Sequence, residues 1–149
     1  MGFETERKFL VKGDFMNDVI GKVEIIQAYL LVDPQKTVRI RISGNEAFMT
    51  IKTGAPENSI RRGEWEFQIP KNDAEELLAL CIPGKIVKTR YYVPSGGRTF
   101  EVDVFHDKNE GLIIAEIELT DESEYFIRPE WLGEEVTGNP AYYNSNLIK

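Results

Sequence analysis

Apolar and polar positions alternate with period two over eight stretches of this chain, roughly residues 2–12, 23–32, 37–43, 47–53, 63–69, 85–93, 98–105 and 112–119. Successive side chains of a strand point to opposite faces, so each stretch predicts a β-strand with one apolar side and one polar side. Turn residues separate the stretches: Asp33-Pro34, Ser43-Gly44-Asn45, Gly54-Ala55-Pro56, Pro94-Ser95-Gly96-Gly97 and residues 107–111;. The short Gly44-Asn45 and Gly96-Gly97 connections predict hairpins, and so antiparallel pairing. Helical patterns are fewer. Asp14 to Ile20 predicts a short helix, Asn72 to Leu80 a stronger one with Asn72 as N-cap, and Asp121 to Phe126 a third;. Arg128 to Leu132 reads as a loop or helical turn, and Tyr142 to Leu147 as a final turn or helix.

The polar sides of these strands are unusual. Glu4, Glu6 and Lys8 share one face of the first; Arg39 with Arg41, and Lys52, follow in the third and fourth. Glu64 with Glu66, Lys88 with Arg90, Glu101 with Asp103, and Glu116 with Glu118 complete the set, while Gln27 and Tyr29 form an uncharged row. Solvent-facing rows mix signs and carry Ser, Thr and Gln, whereas these are nearly pure in sign and come in both signs. The opposite sides, with Thr5 and Phe9, Ile40, Ile51, Trp65, Phe67, Val102 and Ile117, are mainly apolar and need cover. Eight antiparallel strands can close into a barrel that holds side chains and one small ligand. The expected fold is therefore α+β: an eight-stranded antiparallel barrel, or tunnel, with a charged interior and helices packed on the outside. Residues 1–149 are expected to form one such domain.

Composition narrows the partners. A formal net charge of −7 and a pI near 4.9 argue against a nucleic-acid partner, which needs a broad basic surface;. No apolar run approaches membrane-spanning length and the N-terminus is charged from Glu4 onward, so no membrane partner is expected and the cytoplasm is the default location;. The lone Cys81 lies in the apolar run Leu77 to Ile82 and reads as an inert packed thiol;. Oligomeric state is left open.

The inward rows hold eight acids and six bases, a net −2. Enclosing such charge is costly unless it is solvated, paired or metal-bound. A structural ion-pair network is one reading; a wet ligand cavity is the better one. Converging Arg and Lys favour phosphate, with Arg39 and Arg41 able to donate bidentate hydrogen bonds. A net negative interior repels a polyanion unless the carboxylates hold divalent cations. Mg2+ or Mn2+ takes oxygen ligands and bridges carboxylates to phosphates, and two such ions would carry the interior to +2. One or two ions are expected. No glycine-rich phosphate loop is present;.

The ordered rows resemble the CYTH domain, the triphosphate tunnel metalloenzymes, and most closely its small bacterial single-domain members. Glu4-Thr5-Glu6-Arg7-Lys8 is similar to that family's Glu-x-Glu-x-Lys signature, a weak signal alone. Followed by Gln27-Ala28-Tyr29-Leu30, Arg39-Ile40-Arg41, Thr50-Ile51-Lys52, Glu64-Trp65-Glu66, Lys88-Thr89-Arg90, Glu101-Val102-Asp103 and Glu116-Ile117-Glu118, it is specific. The resemblance implies an eight-stranded tunnel and metal-dependent hydrolysis of a terminal phosphate from inorganic triphosphate or a related small-molecule triphosphate. It implies Glu4, Glu6 and Glu118 as ligands of a primary metal. Glu116, Asp103 and Glu101 are implied as partners of a second metal or of the attacking water, with Glu116 and Asp103 in the metal set. Lys8, Arg39, Arg41, Lys52, Lys88 and Arg90 are implied as the phosphate clamp and, with Glu101 and Asp103, as the catalytic set. Glu64 and Glu66 would orient the basic side chains, and Ala141 to Ile148 would close one mouth.

A class IV adenylyl cyclase and a non-catalytic polyphosphate- or nucleotide-binding module are the alternatives. Inorganic, thiamine and nucleoside triphosphates all remain open as substrates. Among other residues, His106 reads as a solvated turn histidine, Trp65 and Trp131 as packing, and Arg61-Arg62 as a loop pair from which one guanidinium could reach the ligand. Tyr29 is open between packing and phosphate contact.

Overall fold

The computed structural model describes residues 2–55 and 59–149; Pro56 of the expected Gly54-Ala55-Pro56 turn lies outside them. Eight strands form the barrel: β1 (Gly2–Val11), β2 (Gly21–Asp33), β3 (Lys36–Ser43), β4 (Glu46–Thr53), β5 (Arg61–Ile69), β6 (Ile86–Ser95), β7 (Arg98–Phe105) and β8 (Ile113–Glu118). A ninth, β9 (Leu132–Glu135), and one helix, α1 (Lys71–Leu78), lie outside it. The strand order is β5-β4-β3-β2-β6-β7-β8-β1, and β1 pairs back onto β5, which closes the sheet. Every pairing is antiparallel. The expected strands are all present, within about two residues at each end. Gly96 and Gly97 both adopt positive φ (58° and 80°), the backbone that a two-residue hairpin turn requires;.

The outward apolar row is covered in two places. α1 seats Ala74 against Ile40 and Ala47, with Leu77, Leu78 and Cys81 alongside. Its N-cap is Pro70 rather than Asn72, because β5 ends at Ile69 and the extended Pro70 already offers its carbonyl to the Ala74 amide. The second cover is made by irregular segments and β9 instead of helices. Phe15, Phe126, Trp131 and Leu132 pack on Phe9, Phe100, Val102 and Ile117. Their rings meet edge to face, Phe100 against Trp131 at 5.3 Å and Phe9 against Phe126 at 5.7 Å;.

Three helical expectations change here. Asp14 to Ile20 yields only a 3-10 turn, Met16–Asp18, with Asp14 Oδ1 accepting the Met16 amide. Asp121 to Phe126 is no helix: Asp121 Oδ1 accepts from the Ser123 amide and hydroxyl, a local alternative to helical bonding;. The open chain that follows lets Phe126 reach the barrel. Part of the Arg128 to Leu132 stretch feeds β9, which exists because β1 offers it an edge, at Phe9↔Glu135 and Val11↔Leu132. The C-terminal segment forms two 3-10 turns, Pro140–Tyr142 and Asn144–Asn146.

The interior is not charged throughout. Cross-strand register puts Ile86 opposite Gln27, Phe105 opposite Lys88 and Ile114 opposite Asp103, so these apolar residues continue the inward rows. With Tyr29 and Ile148 they form a buried cluster that plugs the barrel beside the C-terminal segment. Gly84 (φ +108°) lies so close to the Ile148 carbonyl that a Cβ there would overlap it, so a glycine is required;. Phe100→Ala, which empties a fully buried site in the outer cluster, is expected to lower unfolding stability by about 3–5 kcal/mol, read from denaturant melts;.

Candidate functional site: a charged cavity inside the barrel

Period two and closure together carry most of the inward rows onto one cavity of about 230 Å3. Glu4, Glu6 and Lys8 reach its wall from β1, Arg39 and Arg41 from β3, and Lys52 from β4. Glu64 and Glu66 come from β5, Arg90 from β6, Glu101 from β7, and Glu116 and Glu118 from β8. Many pair across strands. Lys52 Nζ lies 2.5 Å from Glu4 Oε2, without hydrogen-bond alignment, and 3.7 Å from Glu64, its register partner. Arg39 stands 3.8 Å from Glu66 and donates to Thr50 Oγ1, whose hydroxyl donates to Glu66. Lys8 lies 3.8 Å from Glu116, and Arg90 3.4 Å from Glu101.

Two groups on this wall lack balance. Arg41 Nε donates to the neutral Gln27 Oε1 at 2.8 Å, while burial and the nearby Arg39 and Arg90 push its guanidinium down to about 9. A cation so far below its ordinary value marks a place where an anion is welcome. Glu118 is the converse. It stands directly opposite Glu6 in register, and burial together with Glu4, Glu6, Glu64 and Glu101 pushes its carboxyl up to about 7. Burial and Glu6 raise Glu116, and burial raises Glu101 against the pull of Arg90.

A divalent cation suits the acidic group in kind. The donors are all carboxylate oxygens, the choice of hard cations, and the crowding felt at Glu118 is the penalty that such an ion would relieve;. Among the described residues no three acid, histidine or cysteine groups are preassembled as a metal cage, and Glu4 is engaged by Lys52.

Two expected site residues do not reach the wall. Asp103 is 1% exposed; its oxygens accept Arg90 Nε and Nη2 at 2.8 and 2.9 Å, and Lys88 Nζ lies 2.7 Å away. Burial alone would raise its carboxyl, but Lys88 and Arg90 hold it well below the usual range. Its surroundings make it an anchor for two cations. Lys88 is fully buried beneath the wall, bonded to Asp103 and to Asn144 Oδ1. Burial pushes its ammonium down more than Asp103 raises it.

Arg62, expected in a loop pair from which one guanidinium could reach the ligand, lies within β5 and on the cavity wall opposite Glu4. The signal was available: residues 62, 64 and 66 share one strand face. Thr37 also lines the cavity and carried no sequence signal of its own; Tyr143, Asn144 and Ser145 line it from the Ala141 to Ile148 segment. Tyr29 packs in the apolar plug and also lines the cavity. His106 Nε2 lies 2.7 Å from Thr89 Oγ1, on the outer face, and Trp131 packs in the outer cluster. A second hollow of about 530 Å3, walled by Val32, Pro34, Ile60 and Pro140, shares Glu6, Lys8, Thr37, Arg62, Tyr143 and Ser145 with the first.

A closed antiparallel barrel that turns cations and carboxylates onto one small cavity defines a tunnel protein for a compact polyanion. The chain belongs to the CYTH domain family, whose model matches residues 2–146. It is 45% identical over 150 residues to an inorganic triphosphatase of Acetivibrio thermocellus, covering 100% of this chain and 95% of that protein. An inorganic triphosphatase of Nitrosomonas europaea is 37% identical over 149 residues, covering 97% and 95%. A crystal structure of an inorganic triphosphatase matches with a TM-score of 0.70 and 35% identity, over 99% of this chain and 95% of that one. Membership of this family implies a divalent metal.

Asp103→Asn keeps the shape but strips the counter-charge from Lys88 and Arg90. It is expected to cost about 3–5 kcal/mol in denaturant melts while Mn2+ binding to the folded protein stays unchanged. A lost Mn2+ affinity at full stability would return Asp103 to the ligands.

Proposed function

We propose that this chain is a metal-dependent triphosphatase that removes the terminal phosphate of inorganic triphosphate. Its tunnel would act as one domain spanning residues 1–149, in the cytoplasm. The observation that carries the reading is the pairing, in one cavity, of an anion-starved guanidinium at Arg41 with a cation-starved carboxyl at Glu118. A triphosphate accompanied by a divalent cation answers both at once. The named activity of the two curated relatives supports the same reading.

In this proposal Arg39, Arg41 and Arg90, with Lys8 and Lys52, grip the phosphate oxygens and neutralise charge that builds on the bridging oxygen as the anhydride bond breaks. Lys88 supports them from beneath the wall. Glu4, Glu6 and Glu118, with Glu116, would hold Mg2+ or Mn2+, one or two ions. A bound ion of this kind neutralises phosphate charge and makes water more acidic. Glu101 and Glu116 face one another in register across β7 and β8, and both are raised by burial; they are suited to take the proton of the attacking water;. Glu64 and Glu66 hold Lys52 and Arg39 in place.

The test is phosphate release from tripolyphosphate with Mg2+ or Mn2+, alongside thiamine triphosphate and ATP, with cyclic AMP assayed in the ATP arm. Turnover is expected with tripolyphosphate and to stop on chelation by EDTA. Saturable binding without hydrolysis of any of them would overturn the enzyme reading, and cyclic AMP formation would replace it with the cyclase. Arg41→Ala is expected to lower kcat/KM by about 10²-fold. Glu118→Gln is expected to lose metal-dependent turnover with its melting curve retained.

A further inference from the structure

The inward polar residues form a continuous chain that passes through the C-terminal segment. Arg90 is held by both oxygens of Asp103, and Asp103 also holds Lys88. Lys88 Nζ donates to Asn144 Oδ1 at 3.1 Å. The same oxygen accepts Gln27 Nε2, also at 3.1 Å. Gln27 then turns its own carbonyl oxygen to Arg41 Nε at 2.8 Å. Two cavity arginines, supplied by different strands, are thus tied together through one amide oxygen that belongs to neither strand.

Gln27 Nε2 donates to that oxygen and, among the described residues, to no other side chain. Gln27 and Lys88 are both 0% exposed; without Asn144 the Gln27 amide would hold a buried donor with no acceptor, a costly state that drives side chains to re-orient, and Lys88 would keep Asp103 alone;. If Gln27 turns to satisfy its amide elsewhere, Arg41 loses the acceptor that sets its guanidinium plane. Asn144 is itself placed by anchors of a different kind. Ile148 packs in the apolar plug, Asn109 Nδ2 donates to the Leu147 carbonyl at 2.9 Å, and Lys108 bonds the Ile148 carbonyl. Packing and these backbone bonds dock the segment, and two polar atoms connect it to cavity residues: Asn144 Oδ1, and the Tyr142 carbonyl, which accepts Lys8 Nζ at 3.4 Å.

We propose that Asn144 is a positioning residue for the triphosphate site: its side-chain oxygen bridges Gln27 and Lys88 and so fixes Arg41 and Arg90 in their phosphate-gripping arrangement. The C-terminal segment is then part of the binding apparatus as well as a cover. This rests on the reading of the cavity as a triphosphate site.

The experiment measures tripolyphosphate binding by calorimetry without added metal, and KM and kcat with it, for the unaltered chain, Asn144→Ala, Gln27→Ala and the double variant. Ile148→Ala serves as the comparison that loosens docking alone, with melting curves taken for all. Asn144→Ala is expected to weaken binding by about tenfold and to raise KM more than it lowers kcat. Because the effect runs through Gln27, the double variant should bind no more weakly than the weaker single variant. Ile148→Ala should lose stability with a smaller loss of affinity. Additive losses in the double variant, or an affinity loss in Ile148→Ala equal to that of Asn144→Ala at the same loss of stability, would overturn the positioning role. Unchanged binding by Asn144→Ala would do the same while leaving the substrate intact. Failure of the unaltered chain both to bind tripolyphosphate without metal and to turn it over with metal would instead sink the substrate reading, and this inference with it.

Discussion

An ionised carboxylate or guanidinium gives up several kcal/mol of hydration when it is enclosed, and every barrel strand except β2 carries at least one into the same interior. The arrangement of the molecule follows from how that cost is met. Cross-strand pairs such as Lys52 with Glu64, and the Arg90–Asp103–Lys88 triad, meet part of it internally. Arg41 and Glu118 are left over, one short of an anion and the other short of a cation. A fold optimised for stability alone would have paired or removed them. Their retention ties the unfavourable part of the interior to a ligand that can relieve it.

Closure makes this possible and also requires an unusual outer surface. A barrel whose charges face inward must show its apolar rows to the outside, and the chain covers them only in part. α1 protects the β3–β4 face, and Phe15, Phe126, Trp131 and β9 protect the β1–β7–β8 face. Phe67 remains half exposed. Inside, the inward rows turn apolar at Ile86, Phe105 and Ile114, where Ile148 joins them. The plug fills the barrel beside the charged cavity and gives the C-terminal segment an apolar seat at Ile148. Lys88 lies at that boundary, with its ammonium 5.4 Å from the Phe105 ring and its bonds directed to Asp103 and Asn144.

The barrel was legible because strand alternation is a local property. Glu4, Glu6 and Lys8 share a face whatever they pair with, and so do Arg39 with Arg41 and Glu116 with Glu118. Arg62 obeys the same rule, although a neighbouring Arg61 makes the pair resemble a loop. The failures lay where a segment's shape depends on a distant partner. β9 is a strand only because β1 has an edge free at Phe9 and Val11. The Asp121 to Phe126 stretch has a helical composition, yet side-chain bonds at Asp121 and the docking of Phe126 on Phe9 keep it open.

The sequence by itself determined which residues face inward, that their charges call for a phosphate-bearing ligand and a metal, and the family in which those rows occur in order. Only the tertiary structure decided which inward residues touch the cavity. Asp103 and Lys88 sit in the same alternating rows as Glu101 and Arg90 but are buried under them, because shear between strands sets depth along the barrel and alternation sets only the face;. Nor does any local pattern give the place of Asn144. Its oxygen meets Gln27 and Lys88 from 117 and 56 residues away, a meeting that exists only once the barrel has closed and the C-terminal segment has docked in its apolar end.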